Sequence, residues 1–153
     1  MDFRGTMIGG KTVSQTQLRR LLQQIADAFL SGDHEWLCSI NIYPLVVYVH
    51  QDIHLEWTAL ETQETLLERR QAALRAGVEK IEAKVLNVGA SEAGRFPVRV
   101  NWTFMGSEGN VIARNRLRYY CRLDETGHIR IEILELLKRG LSKMHPEETA
   151  HRH

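Results

Sequence analysis

The sequence VRVNWTF at residues 98–104 alternates strictly between apolar and polar side chains, and the sequence LRYYCRL at residues 117–123 continues the alternation. A period of two places every second side chain on the same face of an extended strand. One face of the second segment carries Leu117, Tyr119, Cys121 and Leu123, while its other face is mostly arginine. The two segments therefore predict neighbouring β-strands with one apolar face and one basic face.

Two further segments share this period. Residues 80–85 alternate between charged and apolar side chains, and residues 129–133 place three isoleucines opposite Arg130 and Glu132. Tight turns at 106–110 and 124–127 separate the later strands, which predicts an antiparallel meander. The side chains expected on its inner, apolar face are Val98, Val100, Trp102, Leu117, Tyr119, Cys121, Ile129, Ile131 and Ile133.

The N-terminal half has helical periodicity instead. Ser14 and Gln17 have capping-box spacing, and apolar residues then recur at helical intervals as far as Phe29. Asp33 follows Gly32 and can cap a short second helix that contains Trp36. These residues predict a long helix followed by a short one.

A hairpin and a third helix come next. Residues 44–49 and 53–57 are rich in Val, Ile and aromatic side chains, and the polar residues 50–52 lie between them. Thr58 and Glu61 repeat the capping-box spacing, and Leu60, Leu67 and Leu74 recur every seven residues. We expect these three leucines, with Leu66 and Ala73 beside them, to form the apolar face of an amphipathic helix that ends at Gly77.

Length and composition predict one domain. The chain has 153 residues, of which 43% are hydrophobic and 25% charged, so a globular fold with one core is expected. Residues 1–13 have no periodic pattern and are expected to form a flexible N-terminal arm, while residues 139–153 are expected to form a polar C-terminal tail. The domain itself is placed at residues 14–138.

Charge, cysteine content and hydropathy exclude several classes. A net charge of +1 makes nucleic acid an unexpected partner, and two cysteines cannot form a disulfide framework. The longest apolar run, residues 43–49, is far shorter than a membrane span of about 20 residues, and no signal peptide is evident. We expect a cytoplasmic protein that does not bind membranes and needs no cofactor.

The order of elements resembles a known superfamily. Helix, short helix, hairpin, helix and three long strands resemble the nuclear transport factor 2-like (NTF2-like, or SnoaL-like) superfamily, over about residues 14–138. The local features that carry the resemblance are Ala28-Phe29 before Gly32-Asp33, residues 44–48, residues 98–102 and residues 127–131. The resemblance implies a cystatin-like α+β fold, in which three N-terminal helices pack on a curved antiparallel sheet to form a cone.

The same resemblance leaves the function open. The superfamily includes ketosteroid isomerases, polyketide cyclases, dehydratases, epoxide hydrolases, small subunits of ring-hydroxylating dioxygenases and proteins without enzymatic activity. Fold membership therefore predicts architecture better than activity. Two classes of function follow, either a protein that binds a small apolar or aromatic ligand inside the cone, or a non-catalytic interaction or assembly module resembling a small dioxygenase subunit.

Aromatic residues are the candidates for ligand binding. Aromatic side chains offer large contact areas, and their N–H or O–H groups can orient a ligand. The alternative is that the tryptophans simply fill the core. The predicted ligand-binding residues are Trp36, Tyr48, Trp57, Trp102, Tyr119 and Cys121.

Candidates for catalysis are few. Members with isomerase or cyclase activity resemble one another in placing an Asp or His inside the cone, yet no Asp occupies an inner strand position here. Tyr48, His50 and Glu135 are the weak candidates for acid–base chemistry, so catalysis stays an open question. His50 and His54 have the i, i+4 spacing of a zinc motif but fall in the predicted hairpin, so no metal is expected.

The basic face suggests an assembly. It combines two glutamates, Glu82 and Glu132, with eight cations, namely Lys80, Lys84, Arg99, Arg114, Arg116, Arg118, Arg122 and Arg130. Superfamily members resemble one another in forming two-fold dimers through this sheet face. We expect a homodimer with Arg118 and Tyr120 near its axis.

Overall fold

The computed structural model describes residues 6–8 and 11–139, and within them it contains eight β-strands and three α-helices. In chain order these are β1 (Thr6–Ile8), β2 (Lys11–Val13), α1 (Gln15–Ser31), α2 (His34–Ser39), β3 (Asn41–Val49), β4 (Asp52–Glu56), α3 (Ala59–Arg75), β5 (Lys80–Val88), β6 (Arg95–Met105), β7 (Val111–Leu123) and β8 (Ile129–Arg139). The predicted fold class, three helices on a curved sheet, is confirmed. None of these helices combines the length and apolar composition needed to cross a membrane.

Two short strands lie within residues 1–13, the predicted N-terminal arm. Strands β1 and β2 pair as an antiparallel hairpin within the segment where the sequence showed no pattern. Three-residue strands are too short to display an alternation. At the other end, Arg139 is the last residue of β8, and the predicted polar tail beyond it lies outside the described residues.

The predicted helix caps are present. Ser14 Oγ accepts a hydrogen bond from the Gln17 backbone N–H at 3.0 Å, which satisfies one of the free donors at the start of α1. Gly32 ends that helix in the left-handed conformation, with φ of 83°, where a side chain would be strained. Thr58 caps α3 in the same way as Ser14, through the Glu61 N–H at 3.3 Å.

Six strands form one mixed sheet in the order β4-β3-β8-β7-β6-β5. Neighbouring strands are antiparallel except for β3 and β8, which are parallel. The expectation of a wholly antiparallel sheet is therefore wrong at this one pair. Because β3 and β8 are far apart in sequence, local alternation carries no information about their relative direction.

A bulge in β8 changes which side chains face inward. Cys121 lies opposite Ile131, but Tyr120 lies opposite Ile133, so β8 contains one extra residue between these two pairs. Ile133 consequently faces the same side as Tyr120, and the prediction that it points inward is wrong. Leu134 and Leu136 take the inner positions beyond the bulge, where they line the interior.

The core lies between the sheet and the helices. Its least exposed large side chains are Leu18 from α1, Leu45 from β3, and Phe96, Val98 and Val100 from β6. Leu18 lies on the predicted apolar face of α1, and Val98 and Val100 lie on the predicted inner face of β6. Burial of each such side chain contributes about 1.5–3 kcal/mol to folding.

Helix α3 packs differently from the prediction. Leu60, Leu67 and Leu74 are 64%, 46% and 46% exposed, whereas Thr62, Ala72 and Ala73 are buried. The heptad of leucines is therefore the outer face of this helix. Its inner face combines small and polar side chains.

The opposite face of the sheet carries arginines, as predicted. Three arginines on this face form ion pairs with two glutamates. Arg95 and Arg122 bind the Glu132 carboxylate at 2.9 and 2.6 Å, and Arg118 binds the Glu135 carboxylate at 2.7 Å. Because ion pairs bridge β6, β7 and β8, the basic face is partly neutralised within one chain.

Candidate functional site

A cavity of about 200 Å³ lies between the inner face of the sheet and the three helices. Its wall is mostly apolar and includes Ile25, Phe29, Val47, Leu66, Leu117 and Leu134. A 150 Å³ apolar cavity can bind benzene, so this space admits a ligand somewhat larger than one aromatic ring.

Two of the predicted aromatic residues meet in the cavity wall. The Trp102 indole N–H donates a hydrogen bond to the Tyr119 phenolic oxygen at 2.8 Å, and both side chains are buried. Burial raises the pKa of Tyr119, while the Trp102 hydrogen bond and then the charge of Arg69 act to lower it. The phenol is therefore neutral and keeps its own proton.

Glu56, at the end of β4, is a carboxylate that the sequence analysis did not select. It is only 5% exposed and lines the cavity. Thr62 Oγ1 donates to its Oε1 at 2.6 Å, and Thr65 Oγ1 donates to its Oε2 at 3.4 Å. His54 Nε2 lies 3.8 Å from Oε2. The carboxylate is thus held in place by hydroxyl groups from α3.

Arg69, one turn beyond Thr65 on α3, is the second polar residue that was missed. It lines the cavity and keeps accessible surface, although desolvation by the surrounding protein is the main influence on its pKa and lowers it. The charges of Glu56 and then Tyr119 act in the opposite direction. An arginine stays protonated in such a position.

Asn115 and Arg139 complete the polar part of the wall. Asn115 lies opposite Trp102 in the β6–β7 register, and its Oδ1 is buried without a hydrogen bond in the described part of the chain. Arg139 reaches the same wall from the end of β8, opposite Asn115. The cavity wall thus combines several polar side chains with an otherwise apolar surface.

Of the six side chains predicted to bind a ligand, the structure brings Trp102 and Tyr119 together in the cavity wall. Trp36 packs against the core from α2 and Trp57 is 60% exposed, and neither lines this cavity. Cys121 lies deeper in the core, beside Tyr119 and Val98 in a separate small void. Burial raises its pKa to about 12, which makes the thiol a poor nucleophile at neutral pH.

The three weak candidates for catalysis lie outside the cavity or at its border. Tyr48 borders it, but its register partner on β8 is Glu135, whose carboxylate binds Arg118 on the outer face. Paired residues share a face, so the Tyr48 side chain also points outward. His50 is exposed in the β3–β4 turn. The structure therefore does not bring these three side chains together in the cavity.

A periodic signal could have identified the missed residues. Thr62, Thr65, Leu66 and Arg69 have i, i+3, i+4 and i+7 spacing, which puts them on one stripe of a helix. The leucine heptad on the opposite side of α3 is more apolar, and it was taken as the buried face. A polar stripe faces inward only because the interior contains a cavity.

Comparison with known proteins supports the fold, through similarity to solved structures. No protein-family model matches the sequence, and no curated protein matches it either. Among solved structures, an NTF2-like protein of unknown function from Shewanella oneidensis MR-1 is 10% identical, with a TM-score of 0.58 over 79% of this chain and 96% of that chain.

Two other solved structures give the same result. A domain with a cystatin-like fold from Nostoc punctiforme is 14% identical, with a TM-score of 0.60 over 81% of this chain and 78% of that one. An NTF2-like protein from Novosphingobium aromaticivorans is also 14% identical, with a TM-score of 0.59 over 80% of this chain and 79% of that one. With its helices packed on a curved six-stranded sheet, the chain has the cystatin-like α+β fold of NTF2-like proteins.

Proposed function

We propose that the protein binds a small apolar molecule in the cavity between the sheet and helices α1 and α3. The cavity itself supports this proposal, because about 200 Å³ of mostly apolar space is available to a ligand. Well-packed interiors leave few voids larger than a water molecule. A ligand that fills the space would recover the dispersion contacts that the lining side chains lack.

The competing function, an assembly module, predicts a filled cone. The cavity and the few polar groups in its wall favour ligand binding instead. A few polar groups on an apolar wall are typical of small-molecule sites, where they fix the orientation of the ligand.

The lining of the cavity also limits which side chains could take part in acid–base chemistry with a bound molecule. Among the described residues, Glu56 is the only carboxylate in the wall, and the two threonine hydroxyls orient it. Any proton transfer to a bound molecule is therefore assigned to Glu56, in place of His50 or Glu135.

A thermal-shift screen tests the proposal with neutral probes such as indole, 1-naphthol and cyclohexanol. A probe at 100 times its Kd stabilises the folded state by about 2.7 kcal/mol, which corresponds to a rise in Tm of about 5–10 °C for a domain of this size. The cavity-filling variant Leu66→Trp should abolish the shift. Leu67→Trp, on the exposed side of the same helix, is the matched control and should preserve it.

Two results would overturn the proposal. One is the absence of any shift across the neutral probes and their charged analogues. The other is a shift that survives in Leu66→Trp, because the probe would then bind elsewhere.

A further inference from the structure

One cation in the cavity wall has no partner among the described residues. The Arg69 guanidinium makes no hydrogen bond and no ion pair within residues 6–8 and 11–139, and its charge acts on Glu56 and Tyr119 only at longer range. Guanidinium has five N–H donors in a fixed fork. Arg69 is exposed and lines the cavity, so these donors are available to a bound molecule.

A second donor lies close by. Tyr119 is 7% exposed, and its phenolic oxygen accepts the Trp102 N–H at 2.8 Å. Within the described part of the chain, its own O–H has no acceptor. Arg69 and Tyr119 both line this cavity, so one bound molecule could contact both.

An anionic group can pair with Arg69. Among the described residues, Glu56 is the only carboxylate in the wall, and its oxygens already accept hydrogen bonds from Thr62 and Thr65. A guanidinium without a close counter-ion in the described chain can form charge-assisted hydrogen bonds with a bound anion.

We infer that the ligand is an apolar monocarboxylate, whose carboxylate binds the Arg69 guanidinium and the Tyr119 hydroxyl while its apolar part fills the cavity. This inference rests on the proposed function. Guanidinium and carboxylate match in geometry and form paired, charge-assisted hydrogen bonds. The Tyr119 O–H supplies a third hydrogen bond, directed by the Trp102 contact.

Calorimetric titration of matched acids and amides tests the inference. The probes are 3-phenylpropanoate and octanoate against 3-phenylpropanamide and octanamide, which have similar shapes but no charge. Wild-type protein should bind each acid at least about tenfold more tightly than its amide. Arg69→Met should remove that preference. Arg75→Met removes a charge from the exposed surface of the same helix and should preserve the preference.

A second measurement uses only the wild-type protein, so it tests the inference even if Arg69→Met does not fold. The carboxyl carbon of ¹³C-labelled 3-phenylpropanoate reports the pKa of the bound acid by NMR. A neighbouring cation favours the carboxylate form, so the pKa of the bound acid should fall below that of the free acid. A bound acid whose pKa is equal or higher overturns the inference.

The remaining outcomes separate the two proposals. Equal affinity for acid and amide overturns the carboxylate inference but leaves apolar ligand binding in place. A preference for the acid that survives in Arg69→Met likewise overturns the carboxylate inference and leaves apolar ligand binding in place. If neither these probes nor the neutral set bind, both proposals fail.

Discussion

The Trp102 indole N–H donates to the Tyr119 phenolic oxygen at 2.8 Å, and Tyr119 lies four residues along β7 from Asn115, the register partner of Trp102. Both groups are buried, so neither can exchange its partner freely for bulk water. The contact fixes the Tyr119 side chain in the cavity wall and leaves its O–H to act as a donor.

This contact predicts the effect of Tyr119→Phe. The substitution leaves the Trp102 N–H buried without an acceptor, which should lower the free energy of unfolding by about 1–3 kcal/mol. Urea denaturation followed by circular dichroism measures the loss. Tyr120→Phe is the matched control, because the Tyr120 hydroxyl lies half-buried on the other face, 3.4 Å from the Glu135 carboxylate. Equal losses in the two variants would contradict the prediction.

The Glu132 carboxylate predicts a pH dependence of stability. Hydrogen bonds from Arg95 and then Arg122 lower its pKa below the usual value, against the desolvation that raises it. A carboxylate with a lowered pKa stabilises the folded state above its ordinary pKa, and the contribution disappears as pH falls through the folded-state pKa. Glu132→Gln should therefore cost about 1–3 kcal/mol at pH 7 and progressively less as the pH falls below about 5.

The control for Glu132→Gln is Glu82→Gln. Glu82 pairs with Lys80 at 3.1 Å, but both side chains are more than half exposed. Such pairs contribute about 0–1 kcal/mol, so this variant should match the wild type within about 0.5 kcal/mol at every pH. The prediction for Glu132→Gln is wrong if this variant loses the same free energy of unfolding, relative to the wild type, at pH 3 and at pH 7.

Thiol reactivity should report on the core. Burial raises the pKa of Cys121 to about 12 and also raises the pKa of Cys38. Since the thiolate is the reactive form, labelling of the folded protein by 5,5′-dithiobis(2-nitrobenzoate) at pH 8 should be roughly 100-fold slower than labelling in denaturant. Rapid modification of either cysteine in the folded protein would show that the core opens around it.

Much of the fold could be predicted from local patterns. Ser14, Thr58 and their capping partners marked the starts of α1 and α3, and the period of two identified the long strands. These features depend on residues close together in sequence. The parallel pairing of β3 with β8 depends on distant segments, and no local pattern encodes it.

The main error was in predicting which face of β8 each side chain occupies. The bulge in β8 places Ile133 outward and Leu134 inward, which reverses every facing predicted beyond it. The outward position of Glu135 follows directly. Tyr48 on β3 is its register partner and lies beside it at the border of the cavity.

The candidate site was predicted only in part. Trp102 and Tyr119 precede the bulge and lie where alternation placed them. Arg69 and Glu56 were missed because burial is normally assigned to apolar residues, and the leucine heptad of α3 offered a stronger apolar pattern. The cavity reverses that preference, since its wall can accept polar groups.

The last prediction concerns assembly through the basic face of the sheet. We predict a homodimer with Arg118 and Tyr120 near its two-fold axis. Repulsion between two basic faces is weaker than the sequence alone indicates, because Glu132 and Glu135 each pair with arginines of the same chain. A face whose charges are already paired can pack against a second copy at a lower electrostatic cost.

Arg118→Glu tests this placement. It replaces the partner of Glu135 by a second negative charge, and its side chain points away from the core, so association should weaken while the fold persists. Light scattering at moderate ionic strength gives the mass. The control is Leu67→Glu on the exposed leucine face of α3, which should leave the dimer intact. Dissociation by Leu67→Glu alone would place the interface on the helix, and a mass near 17.6 kDa for the wild-type protein would exclude the dimer.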